Sequence, residues 1–177
     1  ITRIPKSELS NDLQKMYEAK GRFFRAMAYR TLVYMYGGVP LQLEEVTAPK
    51  TDYTRASKEE VLSQAIDDAK FAAENLADIA HVTDGEISAT AAQFLLSELY
   101  LAIGENQKAI EAATLVINNP ALDLMKERFG SRANEPGDVY WDLFRMNNQN
   151  RASGNKEGIW VIQIEPNVTG GAGNTGN

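Results

Sequence analysis

One stretch constrains this chain more than any other. From Asp12 to Tyr36, apolar residues recur at mixed three- and four-residue steps, and Gly37-Gly38-Val39-Pro40 then stops the run. Leu13, Met16, Tyr17, Phe23, Phe24, Met27, Thr31, Val33, Tyr34 and Met35 carry the pattern, which predicts a single long helix. Its C-terminal half is apolar almost all round, which predicts burial on more than one side. Glycine accepts the left-handed backbone that follows a helix end, and proline cannot continue a helix, so the end is sharply marked.

Further helices follow. Leu41 to Arg55 is a connector with Pro49, Thr51 and Asp52, longer than a tight turn; loops of that length usually act on something or cover something. Ser57-Lys58-Glu59-Glu60 reads as a capping box, Ser57 accepting from the Glu60 amide while Glu60 reaches back. The helix it opens carries Leu62, Ala65, Ile66, Ala69, Ala72, Ala73 and Leu76 on one face, with Asp67, Asp68, Lys70 and Glu74 expected on a solvated one. Two more helices are predicted, at about Ala89–Ile103 and Asn106–Asn118, with Gly104 between them and Asn119-Pro120 ending the second. Leu95, Leu96, Leu99, Tyr100 and Ile103 would face Ala109, Ile110, Ala113, Val116 and Ile117 in an antiparallel hairpin.

Past Pro120 the texture changes. Asn134-Glu135-Pro136-Gly137-Asp138 and Asn147-Asn148-Gln149-Asn150 are turn material flanking the short aromatic run 139–144. Gly158 to Ile164 reads as a strand rich in β-branched and aromatic residues, with Trp160 alternating inward beside Ile162 and Ile164. The last residues, from Gly170 to Asn177, hold nothing that builds a core. The expected organisation is a TPR-like helical scaffold over 1–120, a loop-rich segment with a short strand over 121–166, and a flexible Gly/Asn tail over 167–177. The fold class is mainly α: antiparallel helix pairs of the TPR-like superhelix type, with a minor β element and irregular loops near the C-terminus.

Composition narrows the function. Hydrophobic residues at 44% and charged residues at 24% are ordinary globular values, so wholesale disorder is not favoured. A net charge of −6 repels phosphate backbones, so nucleic acid is a poor partner. Cysteine is absent, which removes thiolate nucleophiles and Cys-based zinc sites. The single histidine, His81, has no ligand spacing around it; no metal site, cofactor or catalytic residue is expected. Asp67-Asp68 is a poor catalytic dyad, because neighbours on a helix point apart. No apolar run approaches the roughly 20 residues of a membrane span, and no signal peptide opens the chain, whose first residue is Ile1. A mature form or a fragment is expected.

Two resemblances sharpen this. Leu99-Tyr100-Leu101-Ala102-Ile103-Gly104-Glu105-Asn106-Gln107-Lys108-Ala109 is similar to the TPR core, Tyr100 filling the space between paired helices, Gly104 turning and Ala109 allowing close approach. Ala19, Arg22, Phe23, Arg25, Ala26, Tyr29, Leu32 and Tyr36 through Leu41 resemble the hallmark segment of the SusD/RagB family, a helix that ends in Tyr-Gly-Gly-Val-Pro-Leu. Arg55 to Val61, Ala89 to Ala92 and Glu157 to Gln163 resemble further family segments, in the family's order. The likeness covers about Met16 to Gln163, the middle of a longer architecture.

The resemblance implies a non-catalytic, surface-exposed glycan-binding lipoprotein of the outer membrane. Such a protein passes oligosaccharide to a SusC-like TonB-dependent transporter and touches the membrane only through a lipid anchor absent from this chain. Sugar rings would stack on aromatics while polar side chains bond their hydroxyls. Tyr140, Trp141, Arg145, Asn147 and Asn148 are the candidate ligand-binding group, with Tyr53 a second location. The competing structural reading has Trp141 and Phe144 anchoring their loop, Tyr53 packing locally, and Arg22 and Arg25 pairing with acidic residues of a neighbouring helix. The alternative function is a TPR-type protein-interaction scaffold without a ligand site of its own. A hydrolase would need a nucleophile–base or carboxylate pair that the chain does not display.

Overall fold

A computed structural model describes residues 1–163. It contains α1 (Asn11–Tyr36), α2 (Lys58–Asn75), α3 (Ala89–Ala102), α4 (Asn106–Ile117) and the short α5 (Val139–Leu143), with four single turns of tighter helix, at Ile4–Lys6, Ile79–His81, Gly130–Arg132 and Arg151–Ser153. The chain divides into two compact units, one built from 1–82 and 87–120 and the other from 83–86 and the described residues after Pro120.

The first unit is helix upon helix: α1 packs on α2, α2 on α3, and α3 on α4. α1 buries Ala19, Phe23, Ala26, Tyr29 and Val33, one stripe at steps of three and four. α2 answers with Val61, Leu62, Ala65, Ile66, Ala69 and Ala72. Alanines Ala19, Ala26, Ala65, Ala69 and Ala72 are fully enclosed, and their small size lets the helix axes approach closely. α3 begins on Ser88, whose hydroxyl accepts from the Ala91 amide. Behind it Asp78, Thr90 and Asn119 join the start of α3 to the end of α4, with Asn119 Nδ2 donating to Asp78 at 2.7 Å and the Thr90 hydroxyl to the same carboxylate at 3.2 Å. Gly104 turns the hairpin at φ 80°, a backbone that favours glycine.

The hallmark segment has a mechanical explanation. Gly37 takes φ 71° at the end of α1. A Cβ on Gly38 would stand 2.1 Å from the Ala56 carbonyl oxygen, so only glycine lets these backbones touch. The Ala56 amide donates to the Val39 carbonyl. The Arg55 guanidinium donates to the carbonyls of Tyr36 and Gly38, satisfying acceptors that the helix end leaves open. Ser57 and Glu60 then close the capping box at 3.1 and 2.7 Å. Two family segments far apart in sequence are thus halves of one joint. Tyr29, buried in α1, holds the connector by accepting from the Gln42 amide at 2.6 Å.

Several expectations are corrected. The C-terminal half of α1 is not enclosed: Leu32, Tyr34, Met35 and Tyr36 are exposed and only Ala26, Tyr29 and Val33 are buried there, because α2 covers one stripe of α1 rather than its girth. Asp68 does not lie on a solvated face. It is fully buried, and Arg25 grips it with two hydrogen bonds of 2.7 Å. The expected pairing of Arg22 and Arg25 with an acid of the neighbouring helix does form: Arg22 also stands 3.8 Å from Asp68, while it bonds Glu18 in its own helix and lies 4.1 Å over the Phe71 ring. In the hairpin, α4 turns Ala109, Ala112 and Val116 inward while Ile110 and Ile117 face out, so its buried stripe is narrower and smaller in side chain than the apolar pattern suggested. The expected strand is not formed among the described residues: 158–163 make no ladder, for want of a partner strand. Ile164 and the tail lie outside the described residues.

Candidate functional site

The second unit is organised by charge rather than by apolar burial. Arg128 is its hub. Its guanidinium forms a two-pronged pair with Asp142, donates to the carbonyls of Glu135 and Gly137 at 2.8 Å each, and reaches the Arg132 carbonyl at 2.9 Å. Planar guanidinium donors suit such a many-pronged role. Asp142 is fully buried and also accepts from the Phe129 amide at 3.2 Å. The bond from Arg128 holds the Asp142 carboxyl below the usual carboxylate range, against its burial, and the Phe129 amide adds to the effect. The Arg128 guanidinium is in turn held above its ordinary value by the bond to Asp142.

Asn148 completes the interior. It is 0% exposed; its Nδ2 donates to the carbonyls of Asp142 and Phe129, and its Oδ1 accepts from the Ser131 amide at 3.1 Å. Gly130 (φ 75°) lies so close that a Cβ there would fall 2.1 Å from the Asn148 side-chain oxygen. Asn155 donates to the Asn148 carbonyl, and Glu157 accepts from the Met125 amide at 2.8 Å. The Arg151 and Ala152 amides donate to Asp84, and Trp160 Nε1 donates to the Gly85 carbonyl at 3.1 Å.

This polar interior supports α5, which at five residues could not persist alone. Asp138 caps it, accepting from the Trp141 amide at 2.8 Å. Because Asp142 points inward, its neighbours on the helix point out. Tyr140 is 69% exposed, Trp141 51% and Phe144 71%. Tyr140 and Phe144 meet edge to face at 5.1 Å, and the Arg145 guanidinium lies 3.8 Å over the Trp141 ring. Gly137 abuts the indole edge, where a Cβ would come within 2.7 Å. An exposed aromatic group therefore sits on a rigid polar base, which suits it to stack flat apolar faces such as those of sugar rings.

The candidate residues divide accordingly. Tyr140, Trp141 and Arg145 are brought together, and Phe144 joins them. Asn147 is exposed beside them at φ 70°, a backbone asparagine tolerates better than most residues. Asn148 is a correction: its amide is consumed inside the loop, because the carbonyls of Phe129 and Asp142 need a buried donor. Tyr53 belongs to the first unit, exposed in the connector with the Lys50 ammonium 5.0 Å over its ring. Trp160 is half-buried and Ile162 exposed, so the predicted alternation does not hold. Phe144, expected in the structural reading to anchor the loop, is exposed instead; it lies four positions from Tyr140 and so shares its face. The Arg128–Asp142 pair carries no local sequence signal. Among the described residues no group of three His, Asp or Glu side chains could hold a metal ion, and no helix is long and apolar enough to cross a membrane.

Comparison with known proteins bears on the family and the fold. Residues 2–101 match the model of the SusD-like family described as starch-binding and associating with the outer membrane. SusD-like protein P2 of Formosa agariphila is 34% identical over 146 residues, 81% of this chain and 26% of that protein. The chain thus spans about a quarter of that relative's length. A SusD-like protein of Bacteroides fragilis superposes with a TM-score of 0.75 at 22% identity, over 94% of this chain and 31% of its own. A laminarin-binding SusD-like protein superposes with a TM-score of 0.61 at 27% identity, over 72% of this chain and 29% of its own. With the family model matching more than half of the residues, the chain belongs to the SusD-like family.

Proposed function

We propose that this chain supplies the helical scaffold and part of the ligand face of a non-catalytic glycan-binding protein. That protein works at the outer membrane, lipid-anchored at the cell surface, and hands oligosaccharide to a SusC-like TonB-dependent transporter. The observation that carries the reading is the exposed group of Tyr140, Trp141 and Phe144 on a loop whose buried Asp142 and Asn148 side chains are held by hydrogen bonds. Exposed aromatics cost solvation, and a rigid base under them removes the ordering cost of binding. The family description and the laminarin-binding relative support a glycan as ligand. Trp141 and Tyr140 supply stacking area, Arg145 and Asn147 supply polar contacts, and Tyr53 is a separate contact point on the scaffold.

A second reading, partner docking through the helical unit, is favoured by a shallow apolar groove lined by Ser97, Leu101, Asn106, Ala109, Ile110 and Ala113. The two readings are compatible, since they use different residues.

Tryptophan fluorescence tests the first. Titration with a panel of neutral and acidic oligosaccharides should change the emission, and Trp141→Ala should remove the response while Trp160 remains as an internal reference. Silence across the panel would leave the scaffold reading standing alone.

A further inference from the structure

Of the four arginines in the second unit, three have carboxylate partners: Arg128 with Asp142, Arg132 with Glu135 at 3.7 Å, and Arg151 with Asp84 at 4.0 Å. Arg145 has none among the described residues. Its Nε is buried without a hydrogen-bond acceptor, and its guanidinium rests on the Trp141 ring. The nearby acids are engaged elsewhere, Asp142 by Arg128 and the Phe129 amide, and Asp138 by the Trp141 amide. Arg145 adds its charge to the field at Asp142 but bonds no carboxylate among the described residues, so its guanidinium, laid against the Trp141 ring, keeps donors for a ligand.

We propose that the aromatic platform takes an anionic sugar unit, one carrying a carboxylate or a sulfate ester, with Arg145 supplying the charge-assisted hydrogen bonds while the ring stacks beside it. This rests on the glycan-binding reading above. Guanidinium donors match planar carboxylate and sulfate oxygens. The chain's net charge of −6 opposes polyanions at long range. Recognition is therefore local, made by Arg145 at contact distance and not by a basic surface.

The test compares matched ligands on the whole chain. Oligogalacturonates and oligoglucuronates are titrated beside their methyl esters, which keep the ring and lose the charge, with sulfated and unsulfated galactans as a second arm and neutral β-glucans as a third. The expected result is an acidic ligand bound about tenfold tighter than its neutral counterpart, the scale of one charge-assisted bond. Whichever charged arm shows the preference identifies the anion. Arg145→Gln should bring the ratio close to one, and Arg145→Lys should retain only part of it. Binding of neutral glycans with no acidic preference would overturn the proposal and leave the glycan-binding reading intact. So would a preference that survives Arg145→Gln, or a variant that loses acidic and neutral ligands in proportion, since Arg145 would then only brace Trp141. Absence of binding in every arm would remove both readings.

Discussion

The two units of this chain invert one another. In the first, apolar side chains are inside: Phe23, Val33, Leu62, Ile66, Leu95 and Leu99 are buried with a bed of alanines, and the buried charge is one carboxylate, Asp68, with Arg25. In the second, the buried side chains among the described residues are Asp142, Asn148, Asn155 and one aromatic, Phe129, while Tyr140, Trp141, Phe144 and Met146 are outside. A scaffold gains stability from area removed from water. A recognition loop gains from the reverse arrangement: hydrogen bonds fix its shape, and its apolar area stays available for a ligand. The contrast explains why four long helices and one five-residue helix coexist in a short chain.

The contrast can be broken most forcefully at its exception. Asp68→Ala would strand Arg25 beside the α1–α2 core without an anion. Removing one partner of a buried pair costs about 3–5 kcal/mol, so the far-UV circular dichroism transition should fall sharply in temperature. A loss below about 1 kcal/mol would mean that apolar packing alone holds the helices, since that is the range of an exposed pair.

Acid separates the units next. Asp142 has a lowered folded-state pKa, so its contribution is complete above the unfolded value, about 3.9 for aspartate, and is lost as pH falls through the lower folded value. Both tryptophans lie in the second unit, whereas the long helices lie in the first. Tryptophan emission should therefore report the acid transition of the loop unit. In Asp142→Asn the emission spectrum at neutral pH should already be displaced toward the acid form, with far-UV ellipticity nearly unchanged. If fluorescence and ellipticity move together in that variant, the two units are not separable in the way their interiors suggest.

The smallest effect refines the account of the hallmark joint. Ser57→Ala removes one half of the capping box and should cost about 1 kcal/mol, read as a modest drop in the same far-UV transition. A much larger drop would mean that the Arg55–Gly38 joint beside it depends on the cap.

Much of the first unit was legible in sequence because its devices are periodic or local. The stripe of Ala19, Phe23, Ala26 and Tyr29 repeats with the helix, Ser57 and Glu60 are three residues apart, and Gly104 and Pro120 mark ends. Asp68 reads as solvated in sequence because a helical pattern does not say which charged residue will meet a partner: Arg25 lies 43 positions away. The expected strand failed for a similar reason. A β-branched run such as 159–162 states a preference, but a strand exists only with a neighbour to bond, and none forms among the described residues.

The site shows the same division more sharply. That residues 139–148 are aromatic and amide-rich is written in the chain, and so are the helical elements, their caps and the family pattern. Which side each residue turns is not. Tyr140 and Trp141 face out, and Asn148 faces in, because Arg128 reaches across 14 positions to draw Asp142 into the interior and Phe129 and Ser131 then consume the Asn148 amide. Helical periodicity is a local property and survives in any one sequence window. The pairing of buried charges and amides is settled by chain segments meeting in space, and that meeting set the aromatic group outward and left Arg145 without a carboxylate among the described residues.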